Sequence, residues 1–144
     1  MDATQVFNSI KDIRSDSDNG FYLSAVEAAV HDGTKFQQFK RDPHYNVILE
    51  HASFEQGLSC LNIVKERNDG LLDRALKGVL LTDELGGPVK HKFDGVNVPL
   101  STTTLRYLKV ASDLNRLFGK RFNSVAEIGC GYGGQALVND QLLK

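Results

Sequence analysis

The chain carries no excess charge of either sign. Its 17 basic and 18 acidic side chains leave a net charge of -1. A nucleic-acid-binding surface needs a dense positive patch, so the balance argues against that class of partner. Cysteine is scarce. The two residues, Cys60 and Cys130, lie far apart and suggest no disulfide framework. Reduced thiols in a cytoplasmic protein are the simplest reading. No apolar run is long enough to span a bilayer, and the first twenty residues lack the basic-then-apolar pattern of an export signal. What remains is an ordinary globular mixture, with 41% hydrophobic and 24% charged residues in a 144-residue chain. That length suffices for one modest domain with its own core.

Apolar spacing predicts a mainly helical N-terminal region over 1–100. A short helix is expected over 3–13, followed by a polar break at 15–20. Phe21, Ala25, Ala28 and Ala29 recur at helical spacing, and Asp32-Gly33 ends that helix near His31. Phe36 and Phe39 mark a short helical piece that stops before Pro43. Tyr45, Val47, Ile48, His51 and Ala52 read as one helical face. Ser53 and Gln56 match the capping-box spacing, so another helix starts there and carries Leu58, Leu61, Ile63 and Val64. Asn68-Asp69-Gly70 is a turn. Leu71, Leu72, Ala75, Leu76, Val79 and Leu80 form an amphipathic stripe.

The pattern changes at Gly86. Residues 86–100 hold three glycines and two prolines, which predicts a loop with short extended pieces near 92–98. Ser101 and the three threonines after it offer N-caps for a helix. That helix carries Leu105, Leu108, Ala111, Leu114, Leu117 and Phe118 and closes at Gly119. A short apolar run, Val125-Ala126-Glu127-Ile128, then leads into Gly129-Cys130-Gly131-Tyr132-Gly133-Gly134, and a last helix is expected over 135–143.

The segment VAEIGCGYGGQ is the most informative. Read as strand, glycine turn and helix, it aims helix N-terminal amides at a ligand lying on bare backbone. Gly129, Gly131 and Gly134 satisfy G-x-G-x-x-G, the dinucleotide fingerprint. Glu127, Gly129, Gly131 and Gly133 satisfy E-x-G-x-G-x-G, the first motif of class I methyltransferases. Glu127 favours the second. A carboxylate two residues before the first glycine repels a pyrophosphate but attracts the ammonium and sulfonium of S-adenosylmethionine. Dinucleotide-binding domains also tend to begin close to their fingerprint, whereas this one follows a long helical lead.

The stretch STTTLRYLKVASDLNRLFG running into VAEIGCGYGGQA resembles a bacterial family of sugar O-methyltransferases. There a threonine-rich start, L-R-Y-L and L-F-G precede E-I-G-x-G-Y-G-G-Q. FKRDPHY, ILEH and EQG, upstream, are similar to that family's helical region. Cys130 departs from the pattern, standing where glycine is at least as frequent; a small residue still fits. The resemblance implies methyl transfer from S-adenosylmethionine to a sugar or glycan hydroxyl. Glu127 would orient the methionine end. Gly129, Gly131 and Gly133 would admit the cofactor to the backbone, and Tyr132 and Gln135 would line the pocket. It implies a helical region followed at 101–144 by the first β-α unit of a Rossmann-like sheet, the remaining strands lying beyond Lys144. A strand at 125–128 would then lack a parallel neighbour, so 124–144 is expected to dock loosely and the chain alone to be inactive. A general base, or a metal that acidifies the hydroxyl, is expected for the chemistry, but catalytic residues, the acceptor's identity and oligomeric state are not specified and no residue here is assigned to a metal. Two alternatives stand: an NAD-dependent oxidoreductase, truncated in the same way, and a helical interaction module in which the glycine loop is a remnant.

Other residues attract plainer readings. His44 and His51 are expected as surface or capping side chains two turns apart on one helix, and His91 as solvated. Asp83-Glu84 reads as a solvated helix end, and Cys60 as core. Arg106 and Tyr107 sit where they could face the cofactor or substrate.

Overall fold

A computed structural model describes residues 21–78, 81–119 and 124–143. The helix expected over 3–13 lies outside the described residues. Among the described residues the fold is mainly helical. Helices α1 (Phe21–His31), α2 (Gly33–Gln37), α3 (Pro43–Leu49), α4 (Phe54–Arg67), α5 (Leu71–Gly78), α6 (Leu81–Glu84), α7 (Thr102–Phe118) and α8 (Gly134–Leu142) are joined by a 3-10 turn at Phe39–Arg41 and a two-stranded ribbon.

The caps explain most of the boundaries. Asp32 and Asp42 accept from amides at the starts of α2 and α3. Ser53 and Gln56 form the reciprocal capping box of α4, and Ser101 accepts from the Thr104 amide to start α7. Asn68 ends α4 in the left-handed region. Helix α3 stops at Leu49, three residues after the last amide satisfied by Asp42 and its turn, so His51 and Ala52 belong to a linker. The histidines at 44 and 51 therefore do not share a helix. The stripe that starts at Leu71 runs through α5; Val79 and Leu80 lie outside the described residues, and α6 begins at Leu81.

The ribbon also differs from expectation. Strands β1 (Lys90–His91) and β2 (Leu100–Ser101) pair antiparallel, Lys90 opposite Ser101 and His91 opposite Leu100. The extended pieces thus flank 92–98 rather than occupy it. Phe93 is what pins the intervening loop: its ring stacks on Phe54 at 5.1 Å, and His91 packs edge-on to Phe54 at 5.4 Å. His91 is half-buried in this aromatic group, not solvated.

The main core is built by α4 and α7 with α5 and α8. Leu61, Val64, Leu71, Ala75, Leu100, Leu105, Leu108, Ala111, Val138 and Leu142 are all buried in it, and Cys60 packs half-buried at its edge. Helix α4 lies against α7 at Gly57. A Cβ there would sit 2.8 Å from Thr102 Cγ2 and 3.1 Å from its Cα. In an open helix Gly→Ala gains about 1 kcal/mol of propensity. Here the neighbour is partly backbone, and overpacking costs about 1–3 kcal/mol. Gly57→Ala is therefore expected to lower stability in denaturant melts; a rise would show that the interface yields.

A smaller cluster, Ala25, Phe39 and Tyr45 with Tyr22, Leu49 and Tyr132 around it, joins α1, the 3-10 turn and α3 to the glycine loop.

No strand forms over 125–128. Val125 is half-exposed and Ile128 fully exposed. A strand needs ladder partners for its amides and carbonyls, and the only sheet among the described residues is the β1–β2 ribbon. In the segment after it, helix α8 places Val138 and Leu142 inside the main core. No helix of the described residues is long and apolar enough to cross a membrane.

Candidate functional site

The glycine loop links an exposed approach segment to the buried helix α8. Gly129, Gly131 and Gly133 all adopt positive φ, at 71°, 56° and 84°. Side chains with a Cβ resist that region by about 1–2 kcal/mol per residue, so the alternation of glycines is a backbone requirement. The three positions differ in their surroundings. A Cβ on Gly129 or Gly133 would meet nothing within 4 Å, whereas one on Gly131 would come 3.3 Å from Leu49 Cδ1. The loop thus exposes bare backbone at both ends and rests on α3 in the middle. Gly133, the N-cap of α8, supplies no side-chain cap, which leaves the first amides of a nine-residue helix without a capping side chain.

Gly134 has a different reason to be glycine. The Tyr132 hydroxyl and Tyr107 Cε2, the latter at 2.6 Å, occupy the place a Cβ would take. Tyr132 folds back over the loop and enters the smaller cluster, edge-on to Phe39 at 5.6 Å. Gln135 is likewise turned inward: its Nε2 donates to the Tyr107 carbonyl at 3.2 Å and to Asn139 Oδ1 at 2.9 Å. Both side chains hold the loop to α7 and α8. Glu127 is exposed on the approach segment, as is Cys130.

Beneath Tyr132 lies a buried polar group that sequence reasoning missed. Lys40 is 1% exposed, with its Nζ 4.2 Å from the centre of the Tyr132 ring and 4.0 Å from Glu50 Oε1. The ammonium also donates to the Thr82 carbonyl. Burial pulls the Lys40 pKa down, opposed by Glu50 and Asp83. Burial pushes the Glu50 carboxyl up, opposed mainly by Lys40. Burial likewise raises the phenols of Tyr45, Tyr107 and Tyr132. The hydroxyls of Tyr45, Thr103 and Tyr132 and Glu50 Oε1 are buried without a hydrogen bond of good geometry, although Tyr132 interacts with the Tyr107 side chain and Glu50 with that of Thr103. Lys40 and Glu50 stand in FKRDPHY and ILEH, but nothing in their spacing marks them as buried. Lys40 is enclosed where the 3-10 turn meets Thr82 of α6, the Gly86 carbonyl and Tyr132 of the glycine loop, with Glu50 beside it.

Asp83 is also buried, contrary to the solvated helix end expected. Its carboxylate accepts from the Ser101 amide at 2.9 Å and from Thr104 Oγ1 at 2.8 Å, and so ties α6 to the start of α7. Glu84 remains exposed. His44 is a surface residue near Asp42, its Nδ1 3.6 Å from the carboxylate. Among the described residues no group of three or more His, Cys, Asp or Glu could hold a metal ion.

Comparison of the chain with protein-family models, with curated proteins and with solved structures finds no match.

Proposed function

We propose that this chain carries the cofactor-binding loop of an S-adenosylmethionine-dependent O-methyltransferase of Rossmann-like type, acting on a sugar hydroxyl. The observation that carries the reading is the loop itself. Gly129 and Gly133 present positive-φ backbone to open space beside the uncapped start of α8, and Glu127 stands exposed two residues upstream. This donor set fits the group: the carboxylate suits an ammonium, and the bare glycine backbone admits close approach of a flat ligand.

S-adenosylmethionine, when bound, supplies an electrophilic methyl group. The chain's own contribution would be alignment, Glu127 orienting the amino-acid end and Gly129, Gly131 and Gly133 fixing its depth against the backbone. Tyr132 lines an apolar cavity together with Gly131, and Gln135 holds the loop to α7. The dinucleotide reading relies on Gly134 as its third glycine. The crowding of Gly134 by Tyr107 and Tyr132 accounts for that residue by packing alone, which removes the need for a pyrophosphate there.

Calorimetric titration of the full-length protein is expected to show binding of S-adenosylmethionine and none of NAD. Gly129→Ala is expected to weaken cofactor binding at least tenfold while the fold persists. The site around Gly129 is open, so the cost to the protein is the backbone strain of about 1–2 kcal/mol. Tight NAD binding, or a Gly129→Ala protein that binds as the parent does, would overturn the reading.

A further inference from the structure

Residues 106 and 107 touch each other but also reach different places. Tyr107 faces the glycine loop, its ring 6.5 Å from that of Tyr132 and its carbonyl bonded to Gln135. Arg106 lines a separate cavity of about 320 Å³, bounded also by His51, Gln56, Ser59, Cys60 and Thr102. The geometry points to this cavity as an oxyanion subsite, taking the phosphate or carboxylate group of a charged sugar.

The wall is largely apolar, with Arg106 as its one permanent cation and Gln56 and Ser59 as further polar groups. Neither aspartate nor glutamate lines it. Arg106 is half-buried, and among the described residues no salt bridge to a carboxylate engages it; its planar group lies 5.6 Å from the ring of its neighbour Tyr107. Glu50, the carboxylate that feels Arg106, is buried beside Lys40. Asp113, the acid on the Cys60 side, is held by Arg67 and Lys109, each at 2.6 Å. A guanidinium without a carboxylate partner at a cavity wall suits bidentate binding of an oxyanion.

The other polar lining groups divide between the anion and the rest of the sugar. His51 Nδ1 lies 3.0 Å from the Ile48 carbonyl, which only a protonated nitrogen can satisfy. Nε2 of that tautomer is an acceptor, suited to a sugar hydroxyl. Gln56 Oε1 accepts from the Ser53 amide, so the part of that side chain that remains is its NH2 donor. Thr102 Oγ1 donates to the Ala52 carbonyl at 2.8 Å and fixes the linker against α7.

Arg106 also neighbours the loop's own contacts, since its guanidinium lies beside the Tyr107 ring, which packs near that of Tyr132. Assigning the oxyanion to the methyl acceptor rests on the methyl-transfer reading above; the oxyanion site does not.

The test is an NMR titration of the full-length protein with glucose 1-phosphate, glucuronate and glucose as separate probes, and with S-adenosylmethionine in the same samples. Resonances of His51, Ser59 and Arg106 are expected to shift with glucose 1-phosphate or glucuronate and not with glucose. Whichever of the two responds identifies the anion as phosphate or carboxylate. Arg106→Gln is expected to weaken that binding at least about tenfold, and Arg106→Lys to keep part of it. Ser59→Asp, at an exposed position, is expected to abolish it by repulsion even if Arg106→Gln unfolds. Equal response to glucose, no response at these residues, or binding that survives both Arg106→Gln and Ser59→Asp would overturn the site. Anion binding without S-adenosylmethionine binding would leave the site standing and remove the methyltransferase reading. The converse would remove the site alone.

Discussion

Lys40→Met is expected to lower the stability of the folded chain by about 3 kcal/mol or more, the cost of stranding one member of a buried ion pair. The reason is the surroundings of Glu50. Its side chain is 6% exposed, its Oε1 has no hydrogen bond of good geometry, and Lys40 is the main group opposing the effect of burial on it. The substitution also removes the link from the ammonium to the Thr82 carbonyl, which joins the 3-10 turn to α6. Replacing both partners removes both desolvation costs. The double variant Lys40→Met/Glu50→Leu is therefore expected to recover most of the loss.

The pH dependence should change as well. Glu50 sits above its ordinary value of 4.5 in the folded chain. The folded state keeps a proton that the unfolded chain releases, so this group's contribution to stability falls as pH rises from 4.5 through the raised value. Lys40 sits below its ordinary 10.5. The unfolded chain then holds the extra proton, so stability rises with pH between the lowered value and 10.5. Without Lys40 the Glu50 carboxyl is raised further, and the fall above pH 4.5 should steepen in Lys40→Met. Urea melts across pH on the parent, both single variants and the double variant measure this. Additive single effects, with no recovery in the double variant, would show that Lys40 and Glu50 are independent.

Leu142→Ala is expected to cost about 2–5 kcal/mol, the range for removing a buried leucine and leaving a cavity. Leu142 is 1% exposed and, with Val138, places α8 inside the core made by α4, α5 and α7. Ile128→Ala, fourteen residues earlier, is expected to change stability by less than about 0.5 kcal/mol, because Ile128 is fully exposed. Thermal or denaturant melts of the two variants give a direct contrast. Similar small effects in both would mean that α8 contributes little to the fold, as a loosely docked segment would.

The sequence by itself determined the elements whose causes are local. Ser53 and Gln56 specify the start of α4, Ser101 the start of α7, and Gly119 the end of α7, because each cap satisfies amides or carbonyls within a turn of itself. It also marked the positive-φ loop, since alternating glycines have few other uses. Tertiary structure alone decided the rest. The run at 125–128 has a strand's composition but finds no ladder partner, and local pattern carries no information about partners. The place of helix α8 in the core depends on the faces of α5 and α7. Asp83 read as a solvated charge and Lys40 and Glu50 drew no reading of their own, yet all three are enclosed, since burial of a charge is set by which elements close over it and what they offer in return. Arg106 and Tyr107, adjacent in sequence and in contact, reach different places through the geometry of α7: one the cavity beside His51, the other the glycine loop.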